Sequence, residues 1–124
     1  MANTSLLRPK FGELVYADLP VDGSVQGGIR PVLVVQNDMG NRHSSTVEVL
    51  PLSARVNKGA HLPTHVLISP SATNGLRRQS IILAENVLTI PMSRLMGRVG
   101  VVDDACLKKV ALARRVQSPL YSYI

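Results

Sequence analysis

Gln26-Gly27-Gly28-Ile29-Arg30-Pro31-Val32-Leu33-Val34-Val35-Gln36-Asn37-Asp38 is the stretch on which the reading of this chain turns. Gly27 and Gly28 take positive φ without steric cost, so a loop can end abruptly there. Pro31 biases Arg30 toward extended backbone and away from helix. Val32 to Val35 form a short, continuous, β-branched apolar run, the pattern of a strand covered on both faces. A cationic side chain is thereby held where a loop meets a rigid strand, a good place to hold a phosphate.

Working outward, Leu14–Asp18 reads as a first strand, closed by Pro20, and Val21–Gly28 as a Gly- and Ser-containing lid between strands. The second strand is expected over Val32–Gln36, a connecting loop over Asn37–Ser45, and a third strand over Thr46–Leu52. Ser53–Thr64 reads as a polar loop or short helical turn. His65–Ile68 is a short strand, Pro70–Arg78 a turn around Asn74-Gly75, and Ser80–Glu85 a strong strand. Met92–Met96 suggests a brief helical turn and Arg98–Val101 a last strand. Asp103 or Asp104 then caps one helix whose packed face carries Leu107, Val110, Ala111 and Arg114, with Cys106 also packed. Ser118-Pro119 ends it. The expected architecture is mainly β with a C-terminal helix: a small, partly open barrel, within which pattern alone does not choose a family.

The composition limits what such a domain does. A chain of 124 residues holds one core, and 45% hydrophobic against 18% charged residues is globular. No apolar run is long enough to span a bilayer, and the first residues lack a signal-peptide core, so the expected address is the cytoplasm with no membrane contact. One cysteine, Cys106, excludes an internal disulfide and offers no metal cluster. The balance of 14 Lys and Arg against 8 Asp and Glu gives +6, which favours a polyanionic partner. Only one Phe and three Tyr are available for stacking, so a bound nucleic acid would be read mainly by polar groups. No phosphate-binding P-loop, dinucleotide fingerprint, zinc spacing or nucleophile elbow is present. His43, His61 and His65 are scattered, and read as surface or packing residues.

The central stretch, taken from Gly23-Ser24-Val25-Gln26 through Asp38, resembles the MazF/PemK family of toxins from type II toxin–antitoxin pairs. Gly12-Glu13-Leu14-Val15-Tyr16-Ala17-Asp18-Leu19, Leu62-Pro63-Thr64-His65-Val66, Ser80-Ile81-Ile82-Leu83-Ala84-Glu85-Asn86, Thr89-Ile90 and Asp103-Asp104 agree in order. The likeness implies an SH3-like, partly open barrel with a small second sheet (MazF/PemK/CcdB-like), a homodimer, and a domain over residues 10–117. Residues 1–9 are then a lead-in and 118–124 a tail. It implies a ribosome-independent endoribonuclease (an mRNA interferase) that cuts single-stranded RNA at short sequences. Such an enzyme uses no metal or other cofactor and leaves 2′,3′-cyclic phosphate and 5′-hydroxyl ends. It further implies a cognate antitoxin whose disordered segment blocks the RNA groove.

Chemistry agrees with that implication. An attacking 2′-hydroxyl is already beside the phosphorus, so no water needs activation and a metal is dispensable. Arg30 presents a planar fork suited to phosphate. Ser53 matches a position where the family usually has threonine, and its hydroxyl can donate to the scissile phosphate; a turn cap is its structural alternative. Glu85 is the expected base, with a salt bridge to an arginine as the competing role. RNA contacts are expected from Ser24, Gln26, Gly27, Gly28, Asn37, Asn57, Lys58 and Asn86. Arg55, Arg77 and Arg78, like Lys58, can supply phosphate contacts, though charges of this kind are ordinarily solvated surface. Val25 replaces the family's lid glutamate, and Asn86 stands where an often longer amide occurs, which bears on sequence preference. The alternative is a non-catalytic toxin of the same fold that poisons a protein such as DNA gyrase through Val116–Ile124.

Overall fold

In the computed structural model, residues 5–20, 27–56 and 62–124 are described. Seven strands carry the fold: β1 (Glu13–Leu19), β2 (Gly28–Val34), β3 (Thr46–Ser53), β4 (His65–Ile68), β5 (Ser80–Leu83), β6 (Leu88–Pro91) and β7 (Leu95–Val101). Helix α1 (Asp38–His43) joins β2 to β3, and α2 (Asp104–Gln117) follows β7. The order is β4-β5-β3-β2-β1-β7, all neighbours antiparallel, with β6 added to β3. Strand β3 is shared. Its residues Thr46–Val49 pair with β6, whereas Leu52 and Ser53 pair with Ile82 and Ile81 of β5. The expected barrel-like sheet and smaller second sheet therefore meet along one strand.

The alternation of β1, β2 and β3 feeds two cores. Val15, Ala17, Leu19, Val32, Val34, Val47 and Val49 fill one with Ile90, Met92 and Leu95. Leu14, Leu33, Leu50 and Leu52 turn the opposite way and meet Val66, Ile68, Ile82, Val110 and Ala113. The two-sided burial expected of Val32–Val34 holds because each face has its own cover. Asp103 is the N-cap of α2, its carboxylate accepting from the Cys106 N–H at 2.8 Å. Cys106 and Leu107 pack on the second core, and burial pushes the Cys106 thiol pKa up, with Asp103 adding to the shift. The packed face is rotated from expectation: Ala111 is exposed and Ala113 is buried.

Three further differences have local causes. Strand β2 begins at Gly28, placing Arg30 inside the strand. Pro31 is tolerated because the β2–β3 ladder starts only at Val32. Asn37–Ser45 is not all loop: the Asn37 side chain caps α1, accepting from the Gly40 N–H at 2.8 Å. Strand β6 is short and ends in proline, so it carries little alternation, and its pairing with β3 creates it.

Asp38 accepts from the Phe11 N–H at 2.7 Å and from the Asn41 amide at 3.2 Å, and these bonds lower its carboxyl pKa. A depressed folded-state pKa stabilises above the unfolded value, about 3.9. The contribution disappears as pH falls through the folded value. The stability gap between wild type and Asp38→Asn, read from urea unfolding, should be full at neutral pH and close in acid.

Gly75 has φ +70°, and a Cβ there would lie 2.0 Å from the Val99 carbonyl oxygen. Gly75→Ala should therefore cost at least about 2 kcal/mol in urea unfolding.

Candidate active site

Adjacent strands bring Arg30 and Ser53 together. From β2, the Arg30 guanidinium donates to the Leu52 carbonyl (3.2 Å) and the Gly27 carbonyl (3.0 Å). Ser53 follows Leu52 at the end of β3, almost fully buried. Its Oγ accepts from the Arg55 N–H at 3.2 Å. The turn-capping role weighed for Ser53 is thus real. Burial, and then Arg55, lower the pKa of Arg30 from its ordinary value. An arginine nonetheless stays charged at any working pH.

Both residues line one cleft of 340 Å³, together with Tyr16, Arg77, Arg78 and Ser80. No carboxylate is among its lining residues. Three arginines lining a common space, with no counter-charge among the described lining residues, suit an anion with several oxygens. Arg77 and Arg78 are the part that sequence reasoning left on the solvated surface. The Asn74-Gly75 pair preceding them was the available signal, because such a pair can turn the chain back toward a strand.

The other expected residues fall elsewhere. Gly28 opens β2 with φ +86°, in open space, so the backbone angle is what calls for glycine there. Gly27 contributes the carbonyl that steadies Arg30. Asn37 spends its side-chain oxygen on the α1 cap. Asn86 closes the turn after β5, its N–H donating to the Leu83 carbonyl at 3.1 Å. Ser24, Gln26, Asn57 and Lys58 lie outside the described residues, as do Val25 and His61.

Glu85 does not line the cleft. Its Oε2 lies 3.1 Å from Nε2 of His65, so its hydrogen-bond partner is a histidine where an arginine was weighed. The Leu62 N–H donates to His65 Nδ1 at 3.4 Å, which leaves Nε2 to carry the proton given to Glu85. Glu85 Oε1 is buried and has no hydrogen-bond partner among the described residues. Ile81 opposes Ser53, and Glu85 follows four residues later, in the turn beyond the end of β5.

A cleft of this kind should bind a small polyanion. Inorganic pyrophosphate at tenfold its Kd should stabilise the fold by about 1.4 kcal/mol. The matching rise in Tm should be absent from Arg30→Ala when both proteins are compared at equal ionic strength.

Comparison with known proteins agrees with this geometry. The family described as PemK-like, MazF-like toxin of type II toxin-antitoxin system matches residues 10–117. Endoribonuclease EndoA of Bacillus subtilis (strain 168) is 44% identical over 115 residues, covering 92% of this chain and 97% of that protein. Endoribonuclease MazF of Staphylococcus saprophyticus is 45% identical over 100 residues, covering 80% and 82%. Among solved structures, an endoribonuclease in complex with its cognate antitoxin, from a mycobacterial species, superposes with a TM-score of 0.66. It is 27% identical and covers 89% of this chain and 92% of that one. The mostly-β fold with its terminal helix, the match over residues 10–117 and the two relatives agree: this chain belongs to the MazF/PemK family of type II toxin–antitoxin toxins.

Proposed function

We propose that this chain is the toxin of a type II toxin–antitoxin pair, a sequence-specific, ribosome-independent endoribonuclease acting on single-stranded RNA in the cytoplasm. One observation carries the reading: Arg30 and Ser53, from neighbouring strands, share an arginine-lined cleft without a carboxylate. The names of the two relatives, both endoribonucleases, support the same class of reaction.

In the proposed step the 2′-oxygen attacks the adjacent phosphorus, and the P–O2′ bond forms as the P–O5′ bond breaks. The products are a 2′,3′-cyclic phosphate and a 5′-hydroxyl. No metal is required, because the nucleophile belongs to the substrate. Arg30, braced by two backbone carbonyls, neutralises the charge that builds on the equatorial oxygens. Ser53 donates its hydroxyl hydrogen to a phosphate oxygen. Glu85 does not line the cleft and its Oε1 is buried, so the 2′-hydroxyl proton is assigned to solvent at the open cleft and not to Glu85. The departing 5′-oxygen takes a proton from solvent.

The working unit is proposed to be a homodimer. Tyr16 and Ile29 stand exposed on the sheet face beside the cleft, Ile29 at 62%, and a second copy would cover them. The partner that restrains the enzyme is proposed to be an antitoxin, as in the mycobacterial complex. The competing reading, a toxin that poisons gyrase through Val116–Ile124, has exposed apolar side chains at Leu120 and Tyr123 in its favour. It gives the Arg30–Ser53 cleft no task.

Digestion of a long RNA in EDTA, with 5′-hydroxyl ends mapped, should show cuts at one short sequence. Arg30→Ala should slow cleavage by about 10²–10³-fold, the loss expected for a positioned donor on a developing oxyanion. Cleavage by that variant at the wild-type rate would remove Arg30 from the chemistry. Intact RNA together with gyrase binding would favour the competing reading.

A further inference from the structure

We propose that the segment between β4 and β5 is a rigid arm whose tip, Arg77 and Arg78, binds a second RNA phosphate next to the one held by Arg30. The inference rests on the nuclease reading for its ligand, and on the arm's own geometry for its location.

Most arginines placed by this fold are occupied in holding it together. Arg8 donates to the Asn41 and Ser44 carbonyls, Arg98 grips Glu13, Arg94 pairs with Asp18, and Arg114 donates to the Ala84 carbonyl. The Arg77 and Arg78 side chains make no hydrogen bond or ion pair among the described residues, yet both line the cleft. Nothing in the packing requires two adjacent cations there.

The backbone beneath them is clamped. Asn74 is buried, its Oδ1 accepting from the Ser71 and Leu76 N–H groups, each at 3.0 Å. Its Nδ2 donates to the Ser69 carbonyl at 2.8 Å. The Val101 N–H donates to the Thr73 carbonyl at 2.9 Å, tying the arm to β7. Gly75 and Gly100 permit the approach: a Cβ on Gly100 would lie 2.3 Å from the Asn74 carbonyl. Leu76, immediately before the arginines, packs against the core that lies under α2. The arm is therefore set before the ligand arrives, and binding pays for ordering side chains only. Two exposed guanidinium groups on a fixed backbone, opening into the cleft of Arg30, match a chain of evenly spaced phosphates better than a single small anion.

The test uses a short, mixed-sequence 2′-O-methyl RNA, which cannot be cut, with binding read by fluorescence anisotropy. Arg77→Ala/Arg78→Ala should weaken binding at least about 10-fold near physiological salt. The slope of log K against log salt should become shallower by about 0.7, the contribution of one phosphate contact on a single strand. Lys108→Ala/Arg115→Ala, on the exposed side of α2, removes the same charge and should change affinity by less than about 2-fold if the effect is local and not long-range steering. On cleavable RNA the arm variant should raise KM and leave kcat within about 2-fold, because the contact is uniform between ground and transition states. Arg77→Lys/Arg78→Lys should restore most of the affinity.

Equal binding by the arm variant and wild type would overturn the inference, as would equal losses in the arm and α2 variants. Failure of wild type to bind RNA would overturn it too. RNA binding that depends on the arm, in a protein that leaves all RNA intact, would uphold the arm and overturn the nuclease reading.

Discussion

Everything that matters in this molecule hangs on strand β3 belonging to two sheets at once. Its first half is paired with β6, its middle with β2, and its last two residues with β5. The alternation of one strand therefore sends Val47 and Val49 into one core and Leu50 and Leu52 into the other. A shift of one residue would exchange both sets, so the register is fixed from two sides. The site is a by-product of that constraint. Where β3 leaves β2 for β5, the Leu52 carbonyl has no ladder partner on β2, and Arg30 reaches across to it. Arg30 is thus tied to the joint between sheets as well as to the Gly27 carbonyl at the mouth of β2.

Charge is distributed with the same economy. Glu13 is buried and meets the half-exposed Arg98 at 2.6 Å, which fastens β1 to β7 by a charge-assisted bond. Acidic residues elsewhere are largely committed: Asp38 to Phe11 and Asn41, Asp103 to the α2 cap, Glu85 to His65. Three cations, Arg30, Arg77 and Arg78, line the cleft, where no carboxylate among the described lining residues competes for them. A net charge alone says only that a polyanion is attracted, whereas this cluster marks one place on the surface that suits it.

Much of this was legible in the sequence, for reasons that differ between residues. Val32–Val34 announced a strand covered on both faces because two cores make alternation vanish. His65–Ile68 and Ser80–Leu83 were legible because punctuating Pro, Gly and Asn residues bound them. Strand β6 was not, since four residues ending in Pro91 carry no pattern of their own and are strand only through Thr46–Val49. Helix α1 was hidden for the opposite reason: Asn37, Asp38 and Gly40 have loop chemistry, which here serves a cap. Arg30 and Ser53, expected as a pair from type, spacing and the family likeness, do line one cleft. Arg77 and Arg78 carry in the sequence only a general expectation of phosphate contacts weighed against solvated surface, because exposed charges look alike until a backbone clamp distinguishes them. Glu85 was anticipated as a base or an arginine's partner, and no sequence pattern linked it to His65, 20 residues earlier.

The clamp at Asn74 has a consequence for how such an enzyme can change over time. The residues that hold the arm, Asn74, Gly75 and Gly100, make backbone contacts, whereas Arg77 and Arg78 at its tip are exposed. Substitutions at positions 77 and 78 can therefore be sampled freely, with almost no penalty to folding. Substitutions at the clamp cannot. The fold thus separates what must stay constant from what may vary. A lineage can alter the charge beside the cleft by rewriting two exposed codons while the hydrophobic interior remains untouched.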